Sequence, residues 1–582
     1  MGKIFINPYA FVSFKEVKER KKISDLDNVK TYSGSFEYTI ELKTPLIIPN
    51  TSNDHFGSDL NVSKSYGIYS YENLENKNKQ DNLYQPIIPG SEIRGCIRSV
   101  YEALTNSCYN FNKDNDLYFS ERLNPNKTYK PGILLSNGHG EWVLYAASKY
   151  TADNYNDDGK NYTLTIDNKI FEMFEKVYTS INENYMFEDL SKTNNGNEEA
   201  YLTIGNKRLQ NKNCISVFIK KGKPLLTIEK NDSNYKRLIA SISSFVDKNL
   251  ECTYQRYIDA LKENKTITIY YEANNSNYRF SPAQIGRVLY NSSLNDKVGI
   301  SGHCIDSFCP ACLMFGNIND DKSVSSRVRF SDAHINNYNY NDSKFIDLIS
   351  SSPKYSNKYF YANLKDNKLD WDSISCIAGR KFYWHHMPNI NNIIEKNKSN
   401  KNAKLKSRYY YIDNKTLHDN KFVGKVYFND VTFDELVMLY KSISLVDDNH
   451  CHKLGHGKPF GFGSCNFTIS KLNSNDLELK TIKDTVSWTT SLTDRELEYI
   501  LDFNALDSYV NKNVNVCYPF NNDPLNDPGF KWFVDNKKTS YPQTLPKLIN
   551  GNNRISPVLK GYIGDQGRNS NKFNKNFGRK HW

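Results

Sequence analysis

Apolar and polar residues alternate from Ser35 to Pro49 (SFEYTIELKTPLIIP), which predicts a half-buried strand running into a proline-bounded apolar stretch. The period changes in QPIIPGSEIRGCIRSVYEALTNSC, residues 85–108. There Ile87 and Ile88 close a buried strand and Pro89-Gly90 punctuates. Ser91 reads as the N-cap of a helix whose apolar face is Ile93, Ile97, Val100 and Leu104. β-like runs return between Tyr201 and Ile228, followed by a helical pattern from Tyr235 to Leu261 and a strand at Thr266–Tyr271. Lys421–Phe428 predicts another strand, feeding a helix opened by the capping box Thr432/Glu435 and lined by Leu436, Leu439, Tyr440 and Ile443. A last helix is expected where Thr493 and Glu496 open RELEYILDF. This alternation suits an α+β fold in which helices cover one face of an antiparallel sheet.

The stretches between these elements are polar. Residues 50–84 form a long loop containing Asp54, His55 and Asp59, and a loop of that length inside a compact domain is functional or disordered. Residues 109–200 are rich in Asn and Asp, with short strand-like pieces at Gly132–Leu135 and Trp142–Ala146, and read as an irregular insertion. A charged run, FKEVKERKKISD, lies near the start, and the chain ends in the basic tail GDQGRNSNKFNKNFGRKHW.

Composition narrows the class. The chain has 582 residues and a mean hydropathy of -0.67, enough length for several cores with much loop and surface. Its 76 Lys+Arg against 65 Asp+Glu leave +11, which favours polyanion partners, and 41 Tyr and 31 Phe supply rings for cores or base stacking. No apolar run has membrane length and the N-terminus lacks a signal-peptide pattern, so the expectation is a cytoplasmic protein without a membrane partner. Eleven scattered cysteines do not make a secreted disulfide framework, and clustered ones read as metal ligands or core.

Three clusters carry candidate chemistry. At the start of the 85–108 helix, Gly90 removes bulk where free N–H groups favour an anion, and Arg94 and Arg98 share a face; solvated arginines would look the same. In GISGHCIDSFCPACLMFGN, Cys309 and Cys312 have zinc-knuckle spacing, and Cys304 with His303 brings the donors to four. Because adjacent residues ligate one ion poorly, a fourth donor from elsewhere stays open, as does a purely apolar role for Cys312. Finally, HKLGHGKPFGFGSCNFTI places Gly455, Gly457, Gly461 and Gly463 around Lys453 and Lys458, in neither Walker nor dinucleotide order. GRKFYWHH, residues 379–386, interleaves basic and aromatic residues, with Tyr383 and Trp384 expected in the core and the histidines on a surface edge.

Taken in order, IPGSEIRGCIR, CPACLMFG, SRVRFSDA and GHGKPFGFGS resemble the RAMP superfamily of CRISPR proteins, and most closely its large members from type III effector complexes of the Csm/Cmr type. GRKFYWHH and the PGILL…WVLY pairing fit that subgroup. The resemblance implies a ferredoxin-like, RRM-related fold, built as two RAMP-like units or as one with a large insertion. The corresponding divisions are an arm at 1–34, a first unit beginning at 35–110, its completion or an insertion at 111–295, a second unit at 296–475 and an extension at 476–582.

The resemblance further implies a structural subunit that holds CRISPR RNA for recognition of target RNA beside other effector subunits. Gly90, Ser91, Arg94, Arg98, Arg380, Lys381, Gly455, Lys458, Gly461 and Gly463 become the RNA-contacting candidates. Some family members cut RNA with a loop aspartate, which transfers to Asp54 or Asp59 with His55 alongside; the alternatives are a target-cleaving endoribonuclease and a guide-processing nuclease using His55 or His385. The expected cofactor is a structural zinc ion held by Cys304, Cys309, Cys312 and His303, and a divalent ion is implied only for a nuclease.

Overall fold

The computed structural model describes residues 4–561, interrupted chiefly at 16–19, 52–61, 72–84, 110–117, 123–128, 152–162, 205–214, 247–252, 299–303, 319–322, 341–343, 351–357, 363–370, 400–405, 488–493 and 522–529. Asp54, His55, Asp59 and His303 lie outside the described residues, as do Thr493 and the tail. The chain is a mixed α+β protein that divides into two compact units, one made of residues 1–115 and 295–568 and the other centred on 116–294.

The first unit is built on one antiparallel sheet. Strand Thr31–Leu42 lies at its centre, between Ser464–Asn473 on one side and Phe422–Thr432 on the other; Phe422–Thr432 in turn pairs with Val328–Phe330 and Ala333–His334. With the two-residue edge strands Ile87–Ile88 and His452–Lys453 set aside, the four remaining strand positions lie 4-1-3-2 in chain order across the sheet. Helix Gly90–Leu104 follows the first strand and helix Phe433–Ser444 the third. Alternation decides the layers. Phe36, Tyr38 and Ile40 face Ile93, Ile97 and Tyr101 of one helix and Leu436, Leu439 and Ile443 of the other in a single core. On the opposite face Glu37 pairs with Lys425 at 3.0 Å and Glu41 with Lys421 at 2.8 Å. Strands from 35–110 and from 296–475 thus share one sheet and one core.

The predicted capping box is present: Thr432 Oγ1 accepts from Glu435 N at 3.3 Å and the Glu435 carboxylate accepts from Thr432 N at 2.9 Å. Two other starts differ from expectation. Pro89, not Ser91, occupies the N-cap of Gly90–Leu104, leaving Ser91 exposed in the first turn. Asp494 caps helix Arg495–Leu501 by accepting from Glu496 N and Leu497 N.

The second unit corrects the reading of 109–200 as irregular. Seven antiparallel strands run in the order Lys176–Thr179, Glu198–Ile204, Ile215–Glu229, Glu141–Thr151, Lys130–Ser136, Ile267–Asn274, Asn277–Ser281. Helices Ser233–Ser243 and Thr253–Lys262, two where one long pattern was predicted, pack Leu238, Ile242, Tyr257 and Leu261 on Leu134, Trp142, Leu144, Ile267 and Ile269. Many of the polar residues that masked these strands sit in turns, where Asn137, Asn182 and Asp189 side chains accept backbone N–H groups.

Candidate nucleic-acid interface and metal centre

Helix Gly90–Leu104 has a different polar arrangement at each end. At its start, Gly90 N donates to Asp332 Oδ1 at 2.7 Å, and the Tyr71 hydroxyl donates to the other oxygen of the same carboxylate. The turn therefore already holds an anion, and it is the protein's own, supplied by the SRVRFSDA motif. Gly90 is required for packing as well, since a Cβ there would lie 2.3 Å from the Phe330 carbonyl oxygen.

Arg94 and Arg98 turn inward. Arg94 donates to the Phe315 carbonyl, and burial, reinforced by Arg98, holds its pKa below the ordinary arginine value. Arg98 Nε donates to Glu102 at 2.8 Å, and both guanidinium groups lie 5.8 Å from the Phe315 ring. Glu102 also receives Arg380 Nη1 at 2.8 Å, while Arg380 Nη2 donates to the carbonyls of Ser107 and Cys108. Arg380 is thereby a buried brace at the C-terminal end of the helix.

That end carries the cysteine cluster. The sulfurs of Cys108, Cys304, Cys309 and Cys312 are all buried and all lie within 4.8 Å of one another. Cys108 Sγ is 3.4 Å from Cys312 Sγ and 3.6 Å from Cys309 Sγ, far beyond a disulfide bond and close to the edge of about 3.8 Å that zinc–sulfur bonds of about 2.3 Å give a tetrahedron. Two backbone groups support the sulfurs: Cys309 N donates to Cys304 Sγ at 3.2 Å, and Cys108 N to Cys309 Sγ at 3.4 Å. The four donors fit a closed metal site. Its fourth member is Cys108, four residues past the helix; no local spacing links it to the CPAC segment, and only the fold brings them together.

The glycine loop is shaped by backbone crowding. Gly455 (φ 70°) and Gly463 (φ 81°) are left-handed, and a Cβ would fall 2.1 Å from the Ile47 oxygen in one case and 1.8 Å from the Leu454 oxygen in the other. Gly461 is likewise left-handed, close against the His386 carbonyl. So folded, the loop brings Lys453 and Lys458 toward the first turns of helix Gly90–Leu104. Lys458 Nζ lies 3.5 Å from Glu92, which also accepts from Gly455 N at 2.8 Å.

Strand Arg380–Tyr383, paired with Tyr9–Val12, supplies the facing wall. Together these elements enclose a cleft of about 320 Å³ lined by Ser91, Glu92, Lys381, His385, Lys453 and Lys458 among others. Of the sequence-predicted RNA set, Ser91, Lys381 and Lys458 meet here. Gly455, Gly461 and Gly463 shape the loop, and Gly90, Arg94, Arg98 and Arg380 are bound to protein groups.

Lys453 is only 9% exposed, and its amine donates to Ser464 Oγ at 2.8 Å and to the Gly461 carbonyl at 3.3 Å. Burial, with no carboxylate beside it, pulls its pKa down to about 7. His385, expected on a surface edge, is instead buried: its Nδ1 lies 3.0 Å from Ser464 Oγ, and burial holds its pKa well below the usual histidine value. His452 bonds the Ile443 carbonyl through Nε2 at 2.9 Å and is lowered to about 4 for the same reason.

A model of the RAMP superfamily matches residues 39–466, most of the chain. The chain belongs to the RAMP superfamily. Comparison with curated protein sequences gives no match. Among solved structures, this RAMP protein is similar to Csc2 of Thermofilum pendens, with 14% identity and a TM-score of 0.15 over 33% of this chain and 49% of that one, so the match spans about half of the Csc2 chain. It is also similar to a chain in the cryo-EM structure of the Type III-B Cmr-beta bound to cognate target RNA, with 10% identity and a TM-score of 0.18 over 78% of this chain and 99% of that one. At such identities and scores the likeness assigns no residue.

Proposed function

We propose that the chain is an RNA-binding structural subunit of a type III CRISPR effector complex, holding guide RNA for recognition of foreign target RNA alongside other subunits. The observation that carries the reading is the cleft itself, which Lys381, Lys453 and Lys458 line together with a single carboxylate, Glu92, in a RAMP superfamily protein. The 4-1-3-2 order of the first unit's sheet, with both helices on one face, supports a ferredoxin-like, RRM-related module. A structural zinc ion on Cys108, Cys304, Cys309 and Cys312 would tie the end of helix Gly90–Leu104 to the 304–315 segment and so fix the helix that forms the cleft wall. Zinc has no redox chemistry and, with four protein ligands, no open position, so its contribution is to folding.

The test is fluorescence anisotropy of a labelled single-stranded RNA at several salt concentrations. The reading expects binding that weakens steeply with salt, by a slope of about 0.7 per phosphate neutralised. Absence of RNA binding at low salt, for the chain alone and for the chain assembled with its neighbours, would overturn it.

A further inference from the structure

Strand Ile215–Glu229 does not keep one register beside strand Glu141–Thr151. The pairing jumps from Lys221 opposite Ala146 to Leu226 opposite Leu144, so the four residues from Gly222 to Leu225 stand opposite Tyr145 alone. A ladder loses hydrogen bonds at such a bulge, and the bulge re-aims the side chains around it. The excursion has a fixed shape. Gly222 is left-handed (φ 67°), the Pro224 ring restricts its own φ, and the Tyr278 hydroxyl donates to the Leu225 carbonyl at 3.2 Å. Strand Glu198–Ile204 pairs with this strand only from Ile215 to Ile219, which leaves the excursion room.

What projects is cationic. Lys220, Lys221 and Lys223 are exposed, and among the described residues none of the three pairs with a carboxylate. Lys220 and Lys221 stand opposite Ala147 and Ala146, so they leave the sheet on opposite faces, one on each side of the projection. Lys220 Nζ lies 4.9 Å from the centre of the Tyr145 ring, on the face that also carries Lys149. The large apolar residue exposed on the projection is Leu225, at 39%. A protein interface is built on an apolar centre and is poor in lysine, whereas ammonium groups hold phosphates as point charges. A single strand offers one line of phosphates. Amines on two sides of a projection meet the two phosphate rows that flank a groove of an A-form helix, a structure recognised through its shape and backbone. We infer that the Lys220–Lys223 projection docks in a groove of double-stranded RNA and contacts phosphates on both sides. The inference rests on the RNA-binding reading and adds to it a contact with RNA in duplex form, made by the second unit.

Two variants separate the charges from the shape. Combining Lys220→Ala, Lys221→Ala and Lys223→Ala removes exposed amines and leaves the backbone as it is. Deleting Gly222, Lys223 and Pro224 brings Leu225 opposite Tyr145 and keeps Leu226 opposite Leu144, which makes the ladder continuous. The probes are a fluorescein-labelled RNA duplex of about 20 base pairs, longer than one double-stranded-RNA module covers, and its labelled single strand, both followed by anisotropy at several salt concentrations. A labelled polyglutamate peptide stands for an acidic protein partner.

The triple variant should bind the duplex about tenfold more weakly, with a salt slope shallower by roughly 0.9 for each lysine lost, the value for a double helix, and should lose less on the single strand. The deletion should show the same duplex defect at an unchanged or raised melting temperature. Wild-type duplex binding by the triple variant would overturn the projection while leaving the RNA-binding reading intact. An equal loss on single strand and duplex would overturn the groove. Wild-type duplex binding by the deletion would show that the projecting shape is not needed and overturn the proposal. Polyglutamate bound as tightly as the duplex, and lost with it in the triple variant, would assign the lysines to an acidic protein instead. A wild type that binds neither form of RNA would overturn this inference together with the proposed function.

Discussion

The cysteine cluster and the lysine cleft lie at opposite ends of one helix, and both concentrate a single kind of polar group. They differ in closure. Four sulfurs within 4.8 Å of one another, supported by two backbone N–H groups, make a complete donor set inside the chain. At the cleft three lysines and one glutamate line an opening, with Lys458 on Glu92, Lys453 on Ser464 and Gly461, and Lys381 over the Tyr9 and Tyr383 rings. A closed constellation contributes its energy to folding, whereas an open one with a net positive lining leaves room for an anionic partner.

The largest effect should come from opening the closed end. Cys309→Ser removes one of four donors, and the expected outcome is loss of the roughly one zinc per chain from the purified protein, read by elemental analysis, together with a fall in melting temperature of about 10 °C or more or failure to fold. Substituting His303 would leave metal content unchanged if Cys108 is the fourth donor. At the open end, Lys458→Ala and Lys381→Ala should each weaken RNA binding about equally across sequences and make the salt slope shallower by roughly 0.7 for each phosphate left without its lysine. Arg98→Ala, by contrast, should lower stability and leave the salt slope unchanged, because its partner is Glu102.

A smaller effect concerns pH. His452 is lowered to about 4 from an ordinary value near 6.5, so the folded state binds fewer protons in that interval; stability is whole above pH 6.5 and declines as pH falls toward 4. Urea unfolding at pH 7, 6 and 5 should show this, and His452→Asn should flatten the profile. Lys453 acts in the same direction in a higher window, from about 7 upward, where stability rises with pH as the amine loses its proton in the folded state first. The smallest expected change is from Ser91→Ala, about a few tenths of a kcal/mol in stability, since the N-cap is Pro89.

What the sequence could show was whatever depends on neighbours along the chain. The apolar face of Gly90–Leu104 and the Thr432/Glu435 box were legible because i, i+3 and i, i+4 spacing decides them. Spacing could place Arg94 and Arg98 on one face but not say that the face meets Phe315, whose carbonyl lies 221 residues away in sequence. Cys108 was hidden for the same reason, being 204 residues from Cys312. The second unit's strands were obscured by Asn- and Asp-rich turns, and His385 by its place in a basic, aromatic run whose buried partner, Ser464, lies 79 residues on. Asp54, Asp59 and His55, the loop candidates for catalysis, fall outside the described residues.

Arg380 and Lys381 are adjacent on one strand, and a strand sends consecutive side chains to opposite faces. Arg380 grips the carbonyl of Cys108, while Lys381 lines the cleft. The two ends of the helix are thus joined a second time, through a single peptide unit, and the joint works like a lever with its fulcrum at that peptide. Were a metal ion held by the cysteines and RNA by the cleft, this joint would couple the two, and by linkage each would change the affinity for the other by the same factor.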